Sequence, residues 1–348
     1  MKKNLRLLII DDSISFRGLI TMVLKEHAHL SLAGLAEDGE KGMKLVLETK
    51  PDVILLDLEM PRMDGFTFLR WLMANTPTPT IVLSGRAQTD NVFKALEFGA
   101  CDFLSKLSMH EAWFKKSNEL ITKIEAAATI TEKNLLFQTH TRHKILKREG
   151  LSKAHFGLLA IGASTGGPRA LYEVIGALPQ DFCVPTVISQ HMPKGFTAAF
   201  AETLNKKSSL SVSEAQGGER LENGHVYIAP GGFHLLFEKR DNGIYTCLMP
   251  ANEANIYVPS IDKMLCSAAE IYGANLLGIL LTGMGHDGCS GFQQIKSKGG
   301  TTFVESEETA VIYGMPRVAM EANVVDRAIA LPDIANAILD HYTKEVRK

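Results

Sequence analysis

Short apolar runs recur along the chain, and between them lie longer stretches in which apolar residues return at helical spacing. A strand buried on both faces reads as an unbroken apolar run and an amphipathic helix as a stretch with a period of about 3.6, so the alternation predicts βα units and parallel sheets. In the N-terminal part the runs are residues 5–10, 53–56, 80–83 and 102–104. A helix closes the series between 109 and 128, where Trp113, Leu120, Ile121 and Ile124 recur at helical spacing. The pattern then fades. From 129 to 154, Lys133, Arg142, Lys144, Lys147, Arg148 and Lys153 outnumber Glu132 and Glu149, a basic connector with too few aromatics to stack on nucleic-acid bases. Apolar runs resume at 158–161, 185–189 and 276–281. The expected organisation is a first domain at 1–128, a linker at 129–154 and a second domain at 155–348.

Composition narrows the class. A chain of 348 residues calls for two domains, and 45% hydrophobic with 22% charged residues supports packed cores rather than disorder. No uncharged apolar run approaches the ~18 residues of a membrane span, and Met1-Lys2-Lys3 leads into a strand-like run ended by Asp11-Asp12, unlike a signal peptide. The expectation is a cytoplasmic protein without membrane insertion. Five cysteines, an odd number with no C-x-x-C pair, argue against a disulfide framework or a structural zinc site. A net charge of −2 offers no general attraction to nucleic acid.

Candidate chemistry stands at the strand ends. Asp11 and Asp12 follow the first run, Asp57 the second and Ser84 the third, and Lys106 stands just past the fourth. In a doubly wound sheet these ends meet in one crevice. Three carboxylates crowded there repel one another unless a cation joins them, and an all-oxygen site suits Mg²⁺ held by Asp11, Asp12 and Asp57. Asp57 is then a phosphoryl acceptor, with Lys106 neutralising the phosphoryl oxygens and Ser84 bonding one of them. Singly, Asp12 also reads as a helix N-cap, Ser84 as a turn residue and Lys106 as a surface charge. The whole segment, including Asp57-Leu58-Glu59-Met60-Pro61-Arg62-Met63-Asp64-Gly65, resembles a response-regulator receiver domain. That resemblance implies a flavodoxin-like (βα)5 fold and a switch aromatic at Phe103, three places before Lys106. Leu107 stands where receivers usually carry proline.

In the second domain, Gly162-Ala163-Ser164-Thr165-Gly166-Gly167-Pro168 follows an apolar run and leads into a helical pattern. Strand, sharp turn and helix are expected, with the proline in the first helical turn. Gly-x-Ser-x-Gly matches a nucleophile elbow, in which small neighbours allow a strained turn that exposes the serine oxygen; it equally matches a glycine-rich turn holding a phosphate or dinucleotide. Two more strand ends bear on the choice. One run leads into Gln190-His191-Met192-Pro193, the other into Thr282-Gly283-Met284-Gly285-His286-Asp287-Gly288. Ser164, His191 and Asp287 then form the constellation of nucleophilic acyl transfer: the serine attacks, the histidine serves as base and then acid, and the aspartate orients the imidazole. His286 is a rival to His191. Neighbours on a tight turn usually point apart, which favours an acid that orients a histidine from another strand. His225 and His234 lie in strand-like runs and read as packing histidines. The order Ser164, His191, Asp287 is not the Ser–acid–His order of α/β-hydrolases, so a different topology is expected, a doubly wound and mostly parallel α/β domain.

These motifs, together with Pro259-Ser260-Ile261-Asp262 and Tyr313-Gly314-Met315-Pro316, resemble the catalytic domain of the chemotaxis protein-glutamate methylesterases. With the receiver in front, the resemblance spans nearly the whole chain. It implies a serine hydrolase that cleaves glutamate methyl esters on methyl-accepting chemoreceptors, releasing methanol, and deamidates receptor glutamines. The chemotaxis histidine kinase is then the phosphodonor, and the hydrolase site needs no cofactor. By the same resemblance the Met284 amide is an oxyanion donor, Thr165 assists by hydrogen bonding, and the unphosphorylated receiver restricts access to the catalytic face. Two other readings stand beside it. A receiver fused to a non-catalytic phosphate- or nucleotide-binding domain leaves His191 and Asp287 idle. A receiver-driven transcription factor calls for a helix-turn-helix with a basic recognition helix, and none is visible.

Overall fold

The computed structural model describes residues 4–85, 89–106, 113–135, 157–252 and 254–344. They fall into two compact units, Met1–His140 and Thr141–Lys348. Leu107, Met109, the side chain of Trp113 and residues 136–154 of the expected linker lie outside the described residues.

In the first unit the chain alternates strand and helix: β1 Leu5–Ile10, α1 Ile14–Lys25, β2 Leu30–Ala36, α2 Gly39–Thr49, β3 Val53–Asp57, α3 Gly65–Asn75, β4 Thr80–Ser84, α4 Thr89–Glu97, β5 Asp102–Ser105 and α5 Trp113–Ala127. The strands pair in parallel in the order β2-β1-β3-β4-β5, the flavodoxin-like winding in which the carboxyl ends of β1 and β3 flank the switch point. The apolar runs are the strands buried on both faces: Leu7 to Ile10, Val53 to Leu56 and Ile81 to Leu83 have no exposed surface. β2 is missing from those runs because it is an edge strand with only Leu30 and Ala36 buried, and Ser31 and Gly34 interrupt its pattern. On α5, Leu120, Ile121 and Ile124 are buried, as their spacing predicts, and Ile130 and Leu135 beyond it are buried too.

The second unit contains β6 Leu158–Ala163, α6 Gly167–Ala177, β7 Thr186–Gln190, α7 Phe196–Lys207, β8 Ser211–Glu214, β9 His225–Ile228, β10 Phe233–Arg240, β11 Gly243–Pro250 and α8 Ile261–Tyr272. It continues with β12 Leu276–Leu280, α9 Cys289–Ser297, β13 Thr301–Glu305, α10 Met315–Glu321, β14 Arg327–Ile329 and α11 Leu331–Lys344. Seven strands pair in parallel in the order β14-β13-β12-β6-β7-β9-β8, while β10 and β11 form a separate antiparallel hairpin. Chain direction across the large sheet reverses between β6 and β12, so the ends of β12, β6 and β7 open on the crevice where such sheets bind ligands. One side of the sheet packs against α8 through Ile261, Met264, Leu265, Ala268 and Ala269, all fully buried, with Phe292 and Ile295 of α9 in the same core. Burying an aliphatic side chain of this kind contributes about 1.5–3 kcal/mol, so the core fixes the strand ends from which the crevice is built.

Candidate functional site

Ser164 follows β6 in a turn that its neighbours make tight. Gly166 adopts φ +79° and caps α6, with Pro168 in the first helical turn, and the Gly167 amide donates to the Ser164 carbonyl at 2.8 Å. A side chain at position 166 would be strained at that φ. His191 follows β7, and Asp287 lies in the loop after β12. His191 Nδ1 stands 3.1 Å from Ser164 Oγ, and His191 Nε2 2.8 Å from Asp287 Oδ2. The three residues singled out from separate strand ends therefore form one chain of contacts. The rival His286 is exposed and faces the Tyr257 hydroxyl, 3.5 Å from its Nδ1.

Asp287 is 2% exposed and sits at the N-terminus of α8. Its Oδ1 accepts from the Asp262 amide at 2.9 Å and the Ser260 hydroxyl at 3.2 Å, and its Oδ2 accepts from the Ile261 amide at 2.7 Å. Burial alone would raise the Asp287 pKa; the hydrogen bonds from His191 and from the Asp262 and Ile261 amides outweigh it and hold the carboxyl below its ordinary value. An ionised carboxylate only accepts, so the ring proton resides on Nε2 and the Nδ1 lone pair faces the serine hydroxyl. In the serine-protease triad the two ring nitrogens have these roles exchanged. Asp262 returns the support, accepting from the amides of Gly288 at 2.9 Å and Gly291 at 2.7 Å at the start of α9. His234 is a buried structural histidine, as its strand position predicts: Nδ1 accepts from the Ser260 amide at 3.0 Å and Nε2 lies 3.0 Å from Asn255 Oδ1.

Thr282 ties the loop after β12 to the serine turn. Its carbonyl accepts from the Ser164 amide at 3.0 Å, its hydroxyl donates to the Thr165 carbonyl at 3.0 Å, and the same hydroxyl accepts from the Ile312 amide at 2.9 Å. Gly283 has to be glycine here, because a Cβ would lie 2.7 Å from Ser164 Cβ. The Gly283 amide is engaged by the Ile312 carbonyl at 3.0 Å, whereas the half-exposed Met284 donates its amide to no group among the described residues. Buried Thr165 borders this loop.

Behind Thr282 lies a carboxyl that sequence reading overlooked. Glu305, at the end of β13, has no exposed surface; it accepts from the Thr282 amide at 2.8 Å and the Thr309 hydroxyl at 3.1 Å. Burial, only partly offset by these two neutral donors, pushes its carboxyl from 4.5 up to about 7. Below about pH 4.5 folded and unfolded chains both hold this proton and the stabilising contribution is complete; it is lost as pH rises toward about 7, where the folded state releases the proton last. The loss is on the order of 3 kcal/mol. Calorimetric unfolding of the full chain between pH 5 and 8 is therefore expected to show a shallower decline for Glu305→Gln than for the parent, and equal slopes would contradict a proton held at Glu305.

In the first unit the expected groups also converge. Lys106 Nζ lies 2.6 Å from Asp57 Oδ2 and 2.8 Å from Asp11 Oδ2. Asp11, Asp12 and Asp57 bring carboxylate oxygens within 4.8 Å of one another, an acidic pocket able to take a metal ion. Asp11 Oδ2 is buried with the Lys106 ammonium beside it, and three carboxylates gathered this closely are the oxygen donors a hard cation takes. Burial raises the Asp57 carboxyl above its ordinary value, Lys106 opposes this, and the charge of Asp11 adds to it. The helix-cap reading of Asp12 does not hold: Ser13 caps α1 by accepting from the Phe16 amide. Ser84 is buried at the end of β4 with its hydroxyl on the Gly85 carbonyl at 3.1 Å, and Phe103 is buried on β5 with Lys123 Nζ 5.5 Å from its ring centre. No helix among the described residues is long and apolar enough to cross a membrane.

Residues 159–338 match the family model for CheB methylesterase, and residues 7–116 that for the response regulator receiver domain. A protein-glutamate methylesterase/protein-glutamine glutaminase of Geobacter sulfurreducens is 39% identical over 97% of this chain and 97% of its own length. One from Pyrococcus horikoshii is 34% identical over 97% of this chain and 94% of its own. Among solved structures, the Thermotoga maritima CheB methylesterase catalytic domain is 39% identical, with a TM-score of 0.52, and aligns over 54% of this chain and 99% of that one.

Proposed function

The chain belongs to the CheB methylesterase family, with a response regulator receiver domain ahead of the catalytic domain, and on that premise we propose that it demethylates glutamate methyl esters on chemoreceptors and deamidates receptor glutamines in chemotaxis adaptation. The observation that carries this reading is the chain from Ser164 Oγ through His191 to Asp287, with steps of 3.1 and 2.8 Å. A phosphate- or nucleotide-binding domain has no use for that alignment. Ser164 Oγ bonds to the ester carbon, its proton passes to His191 Nδ1, and the carbonyl pair moves onto oxygen, where the Met284 amide donates to it. One such donor is worth ~2.7–4 kcal/mol in other hydrolases. The intermediate collapses, the bond to the methoxy oxygen breaks, and His191 returns the proton so that methanol leaves. Water then repeats the attack with His191 as base, freeing the glutamate carboxylate and restoring Ser164. Thr165 assists beside the nucleophile by hydrogen bonding. Deamidation follows the same course but needs a proton on the leaving nitrogen, so ester cleavage is the faster reaction.

Residues 1–128 form the regulatory receiver in this reading, 129–154 the linker and 155–348 the catalytic domain, acting in the cytoplasm. Asp57 accepts the phosphoryl group from the chemotaxis histidine kinase. Asp11, Asp12 and Asp57 would hold Mg²⁺, whose chemistry there would be to neutralise charge on the phosphoryl oxygens. Lys106 balances the same charge from the protein side, Ser84 donates to the phosphoryl group, and Phe103 shifts with it, so that phosphorylation raises the hydrolase rate. Asp57→Asn is expected to keep the basal rate of methanol release from methyl-labelled chemoreceptor membranes and to lose the increase that a small phosphodonor with Mg²⁺ gives the parent. Equal stimulation of variant and parent would remove Asp57 from the control.

A further inference from the structure

Tyr257 lies in the loop before α8, outside every motif to which the hydrolase reading assigns a role. Its ring is stacked on the imidazole of His191, with centroids 5.0 Å apart and planes within 12° of parallel. It also meets the ring of His286 edge-on, at 5.5 Å and 84°. A Cβ at Gly285 would collide with the Tyr257 hydroxyl, so the ring is seated against the same loop that presents Met284. Half-buried, it covers one face of the histidine.

On the reading that Ser164 and His191 perform the hydrolysis, we propose that Tyr257 is a positioning residue for that reaction: its ring face holds the His191 imidazole in plane and stabilises the imidazolium formed when Ser164 gives up its proton. As the serine oxygen bonds to the acyl carbon and the carbonyl pair moves onto oxygen, the proton crosses to Nδ1 and the ring gains a full positive charge. Asp287 balances that charge at the ring's edge through Nε2. The face of the ring needs a different partner, and the negative face of an aromatic quadrupole attracts a cation lying over it. The Tyr257 phenol carries its proton at neutral pH and burial raises its pKa further, so the ring acts as a neutral aromatic. Among the described residues, the other ionisable groups around the pair are His286 against Tyr257 and Asp262 behind Asp287.

A ring contact of this kind accelerates formation of the cation without strengthening substrate binding. Tyr257→Leu in the full chain is therefore expected to lower kcat for methyl-ester hydrolysis about three- to thirtyfold with KM changed less than about twofold, while Tyr257→Phe keeps a rate near the parent's. Tyr257→Met, a second non-aromatic replacement, is expected to match Tyr257→Leu. Titration with a fluorophosphonate separates loss of fold from loss of rate: the Leu and Met variants are expected to bind one label per chain, as the parent does, but more slowly, and Ser164→Ala to bind none. Parental kcat in both non-aromatic variants overturns the proposal, as does an effect on KM alone, which marks a substrate contact, or a loss in Tyr257→Phe as large as in Tyr257→Leu, which marks the hydroxyl. Should Ser164→Ala keep the parent's rate, the underlying hydrolase reading fails instead, whatever Tyr257 does.

Discussion

Ser164→Ala is expected to lower methyl-ester hydrolysis by about 10⁴- to 10⁶-fold and to leave the fold unchanged. The turn around Ser164 is held by its backbone: the amide on the Thr282 carbonyl, and the carbonyl on the Gly167 amide and Gln190 Nε2. Among the described residues the side chain adds only the hydrogen bond between Oγ and His191. Alanine keeps the Cβ that Gly283 makes room for, so packing is preserved while the reacting oxygen disappears. What remains is the oxyanion donor and substrate binding, which in other serine hydrolases leave about 10³- to 10⁴-fold over the uncatalysed rate. A variant within tenfold of the parent, with an unchanged melting transition, would assign the chemistry to another group.

Asp287→Asn is expected to cost about 10⁴-fold in kcat, the magnitude seen when a triad carboxylate is made neutral elsewhere. Two effects add. The carboxamide no longer fixes the ring proton on Nε2, so the tautomer with Nδ1 protonated, which cannot accept from Ser164, gains weight, and the imidazolium loses its counter-charge. The amide group also has no comfortable orientation. An NH₂ in place of Oδ2 meets the Ile261 amide, and in place of Oδ1 it meets the Asp262 amide. Opposing two buried donors costs about 1–3 kcal/mol, so a lower melting temperature should accompany the lost rate. Rates measured beside melting curves distinguish this from a simple loss of folded enzyme, because unfolding alone scales kcat with the folded fraction.

Much of this arrangement is legible in the sequence because both sheets are parallel and doubly wound. In such sheets the residue that follows a buried run stands at the ligand crevice, so Asp11, Asp57, Ser84, Ser164 and His191 could be picked out by position alone. Asp287 needed a further step, since it lies several residues beyond β12 and competed with its neighbour His286; only the structure shows the acid seated on the α8 N-terminus, facing another strand. Glu305 obeyed the same strand-end rule after the run Thr302-Phe303-Val304 and was passed over because its partners, Thr282 and Thr309, are ordinary polar residues. Tyr257 gave no signal. It comes from an irregular loop, and stacking depends on ring orientation, which no periodicity records. β2 was faint for a related reason, as an edge strand has little burial to impose a pattern.

The most direct test of the central claim is the initial rate of methanol release from methyl-labelled chemoreceptor membranes by the full chain, with and without Mg²⁺ and a small phosphodonor. The account predicts release above that of membranes alone, rising when the phosphodonor is added. Release no faster than from membranes alone under both conditions, with folded protein and several receptor preparations, would contradict it.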